Sequence, residues 1–285
     1  MAGGGLQALR RRIRSVQNTQ QITRAMKMVA GAKLRRAETR ARNARAYFDA
    51  ILAITARAVE GTSYQHPLLV ERPVKAAGML VLTSDRGLAG PFNANVLRQS
   101  VSFVKAHGPE DTAMMVVGRK GRDYFRFRGQ RLLDEFVNLG DEPTYRQARS
   151  LADAIIGHYL EERVDVVYLT YMQYVSAMAQ TPRTIRILPV EKPTHEAGGL
   201  TRYLFEPEAE EVFEDLLPRY LEVLVYGALL ESKASEQGAR MMAMDSASKN
   251  AEELIKKMVL ERNRLRQAAI TREIAELVGG AEALS

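Results

Sequence analysis

The chain has 285 residues, 46% hydrophobic and 26% charged, with 41 Lys+Arg against 34 Asp+Glu, a formal net charge of +7 and no cysteine. Disulfides, thiol catalysis and thiolate metal sites are therefore excluded, while the apolar content suffices for a core. The most apolar run, 216–230, is broken by Pro218, Arg219 and Glu222 and falls short of the roughly 20 residues a bilayer span needs, and the N-terminal arginines precede no apolar block of the kind a secretory signal requires.

All ten prolines lie between Pro67 and Pro218, so both ends are free of the residue that most disrupts a helix. Residues 1–60 are predicted to form one long helix. A 3/4 alternation marks its seam: Leu6, Leu9, Ile13, Val16, Gln20, Thr23, Lys27, Ala30, Leu34, Ala37, Ala41, Ala44, Phe48, Ile51, Thr55 and Ala58. Gln20, Thr23 and Lys27 interrupt it with polar groups. Beside them Ile22, Met26 and Val29 form a second apolar stripe rotated away from the seam. Either a partner helix shifts register here, or the second stripe meets another protein.

The middle, 61–207, alternates strand and helix. Strands are predicted at Met79–Thr83, Ala113–Val117, Leu132–Val137, Val164–Tyr171 and Thr184–Val190, and helices at Phe92–Ala106, Lys120–Phe127 and Tyr145–Glu162. This order predicts an open, Rossmann-like α/β sheet, parallel or mixed, covered on both faces. The loops Ser84–Gly90 and Gly118–Gly121 carry glycines but lack the spacing of a dinucleotide fingerprint or a phosphate-binding loop. Asp85 beside Arg86 reads as a local ion pair or helix cap, since no second carboxylate, histidine or nucleophile accompanies it. His66, His107, His158 and His195 lack metal-ligand spacing and read as surface or turn residues.

Residues 208–285 are predicted to form the second long helix, with a seam at Tyr220, Val223, Gly227, Leu230, Ala234, Gln237, Met241, Met244, Ser248, Ala251, Ile255, Met258, Arg262, Leu265 and Ala269. Beyond Ala269 the apolar positions change face, to Ile270, Ile274, Leu277, Val278, Ala281 and Leu284. The two helices carry opposite charge: 13 Lys+Arg against 3 Asp+Glu over 1–60, and 10 against 15 over 208–285. Attraction between them favours an antiparallel coiled coil, with the surplus positive charge facing an acidic partner. At about 1.5 Å per residue the helices are roughly 80 and 110 Å long, so about 30 Å of the second would stand alone.

Three motifs in this order resemble those of the gamma subunit family of F-type ATP synthases: Gln21–Ala30 followed by Ala32-Lys33-Leu34, then Thr83–Gly90, then Arg266–Ala281. The resemblance covers the whole chain. It implies a non-catalytic, cofactor-free rotor shaft coupling rotation of a proton-driven ring of c subunits to ATP synthesis and hydrolysis at beta subunits. The implied partners are the alpha and beta subunits, the epsilon subunit and the c ring. The implied location is peripheral, on the cytoplasmic face of the bacterial plasma membrane. By position in the motifs, Met26, Lys27, Arg266, Gln267 and Thr271 fall where the family's shaft meets beta subunits. Tyr203, Phe205 and Glu206 match its foot on the c ring. Gly31, Gly238 and Asp245 depart from the usual pattern, and the regulatory cysteine insertion of chloroplast relatives is absent.

Two other readings compete. A basic coiled coil could be a nucleic-acid-binding arm, with Arg10, Arg11, Arg12, Arg14, Arg35, Arg36, Arg40, Arg42 and Arg45 on phosphates. A nucleotide-dependent enzyme on the central sheet is opposed by the missing phosphate loop.

Overall fold

The structure, a computed structural model, describes residues 2–60, 64, 66–107, 112–191 and 209–282. Along the chain come α1 (Ala2–Glu60), a 3-10 turn (Pro67–Leu69), β1 (Ala77–Leu82), α2 (Phe92–His107), β2 (Thr112–Val117), α3 (Arg119–Phe127), β3 (Leu132–Phe136), α4 (Tyr145–Leu160), β4 (Val166–Tyr174), β5 (Gln180–Leu188) and α5 (Ala209–Glu282). Packing divides them into two compact units, Ala30–Arg240 and Met1–Val29 with Met241–Ser285.

Within Ala30–Arg240 the five strands form one sheet in the order β3-β2-β1-β4-β5. The pairs β1·β2, β1·β4 and β2·β3 are parallel, and only β4·β5 is antiparallel. The strands β1 and β2 are buried at every position, as expected of parallel strands covered on both faces. One face is covered by α4, the end of α1 and the first third of α5, through Leu151, Ile155, Val59, Phe213, Leu217, Leu221 and Val225. The other is covered by α2 and α3, through Phe92, Val96, Leu97 and Phe125. A capping box starts α4: the Thr144 side chain accepts from the Gln147 N–H, and the Gln147 side chain accepts from the Thr144 N–H.

One sequence expectation needs correction. The strand β5 starts at Gln180, not Thr184, and β4 runs on to Tyr174, because the two pair as a hairpin as far as Tyr174↔Gln180. Pro182 is tolerated within it because β5 is an edge strand, where a missing N–H breaks no ladder. The helix α5 contains Pro218, inside the 208–285 segment expected to be helical. The buried side chains of Phe213, Leu217 and Leu221 anchor the turns on either side and so offset the hydrogen bond that proline cannot make. Of the histidines expected at surfaces or turns, His66 sits at a turn and His158 is half-buried on α4. His66 caps the 3-10 turn by accepting from the Leu68 N–H at 3.1 Å, and His158 pairs with Asp134 at 2.5 Å.

In the other unit α1 and α5 lie antiparallel: Arg24 reaches Glu252 at 3.5 Å while Lys27 reaches Asp245 at 2.6 Å, so the α5 partner falls in number as the α1 residue rises. Ile13 and Thr23 are buried on α1, and Met244, Ser248, Ala251 and Met258 on α5, all of them seam positions. The described part of α5 has 74 residues and that of α1 has 59. Ile270, Ile274, Leu277 and Val278 are all exposed.

Candidate functional site

Two groups of side chains on the helical pair merit a functional reading. On α1, Met26 is half-buried and Lys27 is exposed. The seam therefore runs Thr23, Met26, Ala30, and Lys27, placed on the seam by the alternation, stands outside it. A 3/4 pattern fits either residue at this point; an ammonium cannot enter the seam without losing its hydration, whereas a thioether can. Lys27 instead donates to Asp245 on α5, whose second oxygen takes Lys249 at 2.9 Å. The hydrogen bonds from Lys27 and then Lys249 hold the Asp245 carboxyl below the usual carboxylate range. Glu252, between Lys256 at 3.1 Å and Arg24, is lowered for the same kind of reason, with Lys256 the larger cause. The two other members of the second stripe remain bare, Ile22 at 60% and Val29 at 53% exposed, and Met28 beside them is 69% exposed.

On α5, Arg266, Gln267 and Thr271 are exposed, and the Thr271 hydroxyl donates back to the Gln267 carbonyl at 3.0 Å. Tyr203, Phe205 and Glu206 lie outside the described residues.

In the sheet unit, the loop 83–90 turns inward. The Thr83 hydroxyl donates to the Val117 carbonyl at 2.7 Å and accepts from the Gly121 N–H at 2.9 Å. Asp85 accepts from the N–H groups of Arg119 and Asn138, each at 3.1 Å, so it caps α3 across the sheet edge. The Lys120 N–H is taken by the Ser84 carbonyl. A phosphate at this helix start would have to displace the protein's own acceptors. Gly118 makes the approach possible: its φ is +91°, and a Cβ there would lie 2.4 Å from the Thr83 carbonyl oxygen.

Strand order reverses between β1 and β4, the place where open α/β sheets receive ligands. Here α5 occupies it. Ser232 accepts from the Met172 N–H at 3.2 Å and Ser235 donates to the Met172 carbonyl at 3.1 Å, so both backbone groups of one β4 residue are held by α5. One turn on, Arg240 donates to the Gly87 carbonyl at 3.2 Å. From α1, Lys33 pairs with Asp141 at 2.8 Å and Arg40 pairs with Glu142. A cavity of about 300 Å³ remains among Asp85, Arg86, Arg119, Asn138, Asp141 and Lys233, lined by both cations and carboxylates. The sequence reading followed the apolar seam of α5 and passed over this polar stripe; Lys233, Glu236 and Arg240 recur at the same 3/4 spacing and were the available signal.

Comparison with known proteins agrees over the whole length. A family model described as ATP synthase matches residues 5–284. The ATP synthase gamma chain of Desulforamulus reducens is 50% identical over 280 residues, spanning 97% of this chain and 98% of that one. That of Desulfitobacterium hafniense is 49% identical over 277 residues, with 97% and 98% covered. A solved structure of the Tetrahymena thermophila mitochondrial ATP synthase central stalk and c ring contains a chain of 28% identity that superposes with a TM-score of 0.64 over 80% of this chain and 99% of that chain.

Proposed function

This chain belongs to the ATP synthase gamma chain family, and from that premise we propose that it is the central rotor shaft of an F-type ATP synthase, coupling proton-driven rotation of a c ring to ATP synthesis and hydrolysis at beta subunits. It performs no chemistry itself. Its partners are a ring of alpha and beta subunits around the helical pair, an epsilon subunit, and the c ring under the foot formed by Tyr203, Phe205 and Glu206. It works at the cytoplasmic face of the bacterial plasma membrane, held there through the c ring; among the described residues no helix is long and apolar enough to cross a membrane.

The observation that carries this reading is the surface of the helical pair at 22–29. A pair that served only its own packing would hide Ile22, Met28 and Val29, yet all three are more than half exposed beside Lys27. Such a surface suits repeated, reversible contact with an acidic apolar loop. Met26 and Lys27 on α1, and Arg266, Gln267 and Thr271 on α5, give it two unlike sides. Each angle of an asymmetric shaft then contacts three surrounding beta subunits differently and favours a different conformation in each, which is a population shift driven by differential contact free energy. The nucleic-acid reading gains no support from the relatives, and the backbone N–H groups of Arg119, Lys120 and Gly121 are already taken by Asp85, Ser84 and Thr83.

The test uses the absence of native cysteine. In the assembled complex, Met26→Cys should form a disulfide with a cysteine placed in the acidic loop of beta, because only surfaces within a few ångströms can be bridged. The link should stop steady-state turnover and reduction should restore it. Full turnover with the link quantitatively formed would mean that this helix does not turn against beta.

A further inference from the structure

A rotor driven from its foot must hand torque from the sheet unit to its helices. Covalent connection alone, through the ends of α1 and α5, does not fix the angle at which the helices stand on the sheet. The apolar contacts of α5 with the sheet face, at Phe213, Leu217 and Leu221, are non-directional and tolerate sliding. Directional contacts lie beside them: Glu222 accepts from the Tyr145 hydroxyl at 2.6 Å, Ser232 and Ser235 hold the Met172 backbone, and a further group of ion pairs lies at the strand ends.

Glu236 is the centre of that group. Its residue is 5% exposed, and its two carboxylate oxygens are divided between Lys233 and Arg240, each at 2.8 Å. Arg240, so oriented, reaches the Gly87 carbonyl in the loop after β1. Lys233 lines the same cavity as Asp141, which Lys33 of α1 holds. Both helices are thus pinned to loops at one edge of the sheet. Burying the Glu236 carboxylate beside the partly buried Lys233 and Arg240 costs desolvation that an apolar cluster of equal volume would avoid, so its contribution must be sought in geometry rather than in net stability.

We propose that Glu236 is a positioning residue for torque transfer: by clamping Lys233 and Arg240 it fixes α5 against the loop 83–90, so that rotation of the sheet unit turns the helices instead of slipping past them. The inference rests on the rotor reading above.

The experiment compares wild-type and Glu236→Gln complexes in sealed vesicles, measuring protons pumped per ATP hydrolysed, with subunit content and thermal melting as controls. Gln keeps the shape and one acceptor but cannot pair two cations. The ratio should fall about fivefold, the low end of energetic coupling between sites, while the complex remains assembled. Arg240→Lys, which keeps the charge but shortens the reach to Gly87, should lower it less. An assembled Glu236→Gln complex with an unchanged ratio would overturn the proposal, as would parallel loss of hydrolysis and pumping. If Glu236→Gln fails to assemble, Arg240→Gln decides by the same ratio. The wild-type complex separates the two readings: if it does not couple pumping to hydrolysis the rotor reading fails, and if it does while both variants match it, only the clamp fails.

Discussion

Lys27 of α1 and Asp245 of α5 face each other at 2.6 Å across the helical pair, and the same carboxylate holds Lys249. Asp245 gives Lys27 an internal partner beside the surface proposed to meet beta. The pair is solvent-exposed, so its contribution to folding is screened and small. Asp245→Asn should therefore leave the melting temperature of the isolated chain nearly unchanged. In the complex it should make ATP turnover more sensitive to ionic strength, since Lys27 is then left with acidic groups of the neighbouring subunit only. Identical salt dependence in variant and wild type would remove Lys27 from the contact.

The foot can be separated from the helical pair. Replacing Tyr203 and Glu206 together by lysine should weaken attachment to the membrane sector and lower ATP-driven pumping, while hydrolysis by the detached soluble assembly stays largely intact. Sedimentation of the complex with membranes and hydrolysis in the supernatant measure the two effects. Equal loss of both would place this segment elsewhere.

Gly118→Ala should destabilise the sheet unit by roughly 1–3 kcal/mol through overpacking and a strained backbone. The added carbon would meet the Thr83 carbonyl oxygen at 2.4 Å and the Thr83 carbonyl carbon at 2.7 Å, both backbone atoms that cannot swing aside. Denaturant titration of the isolated chain reads the change, and a loss under the lower bound would mean that the loop 83–90 yields easily.

Glu231 on α5 supplies a pH dependence. Burial raises its carboxyl pKa, against the lowering effects of the Tyr174 N–H, Arg183 and Arg45. A carboxyl raised in the folded state takes up a proton on folding, so its unfavourable contribution is absent below the ordinary carboxylate range and grows as pH rises through the folded value. Glu231→Gln should accordingly raise the melting temperature at pH 8 and have a smaller effect at pH 4. A shift of equal size at both would place the charge in water.

Periodicity and the proline-free ends determined the two long helices and the strands β1 to β3. Hydrophobic spacing is set by local helix and strand geometry, so the seam residues Ile13, Thr23, Met244, Ala251 and Met258, and the strands β1 to β3, were legible from one chain. The motif at Arg266–Ala281 gave the family because several residue types recur there in one order. What the sequence left open was decided by contacts between distant segments. That Met26 and not Lys27 enters the seam follows from the hydration of the ammonium, but that Lys27 then meets Asp245, 218 positions away along the chain, is decided by the pairing of the helices. That β5 pairs backwards with β4 through Pro182 depends on its being an edge. That Asp85 caps α3 rather than binding a ligand depends on Gly118 admitting the Thr83 backbone. Glu236 reads on the helix as one more surface charge, and only the sheet folded beneath it makes it a buried clamp. Local geometry is encoded in spacing, whereas the fate of a polar side chain depends on which other chain segments exclude water from it.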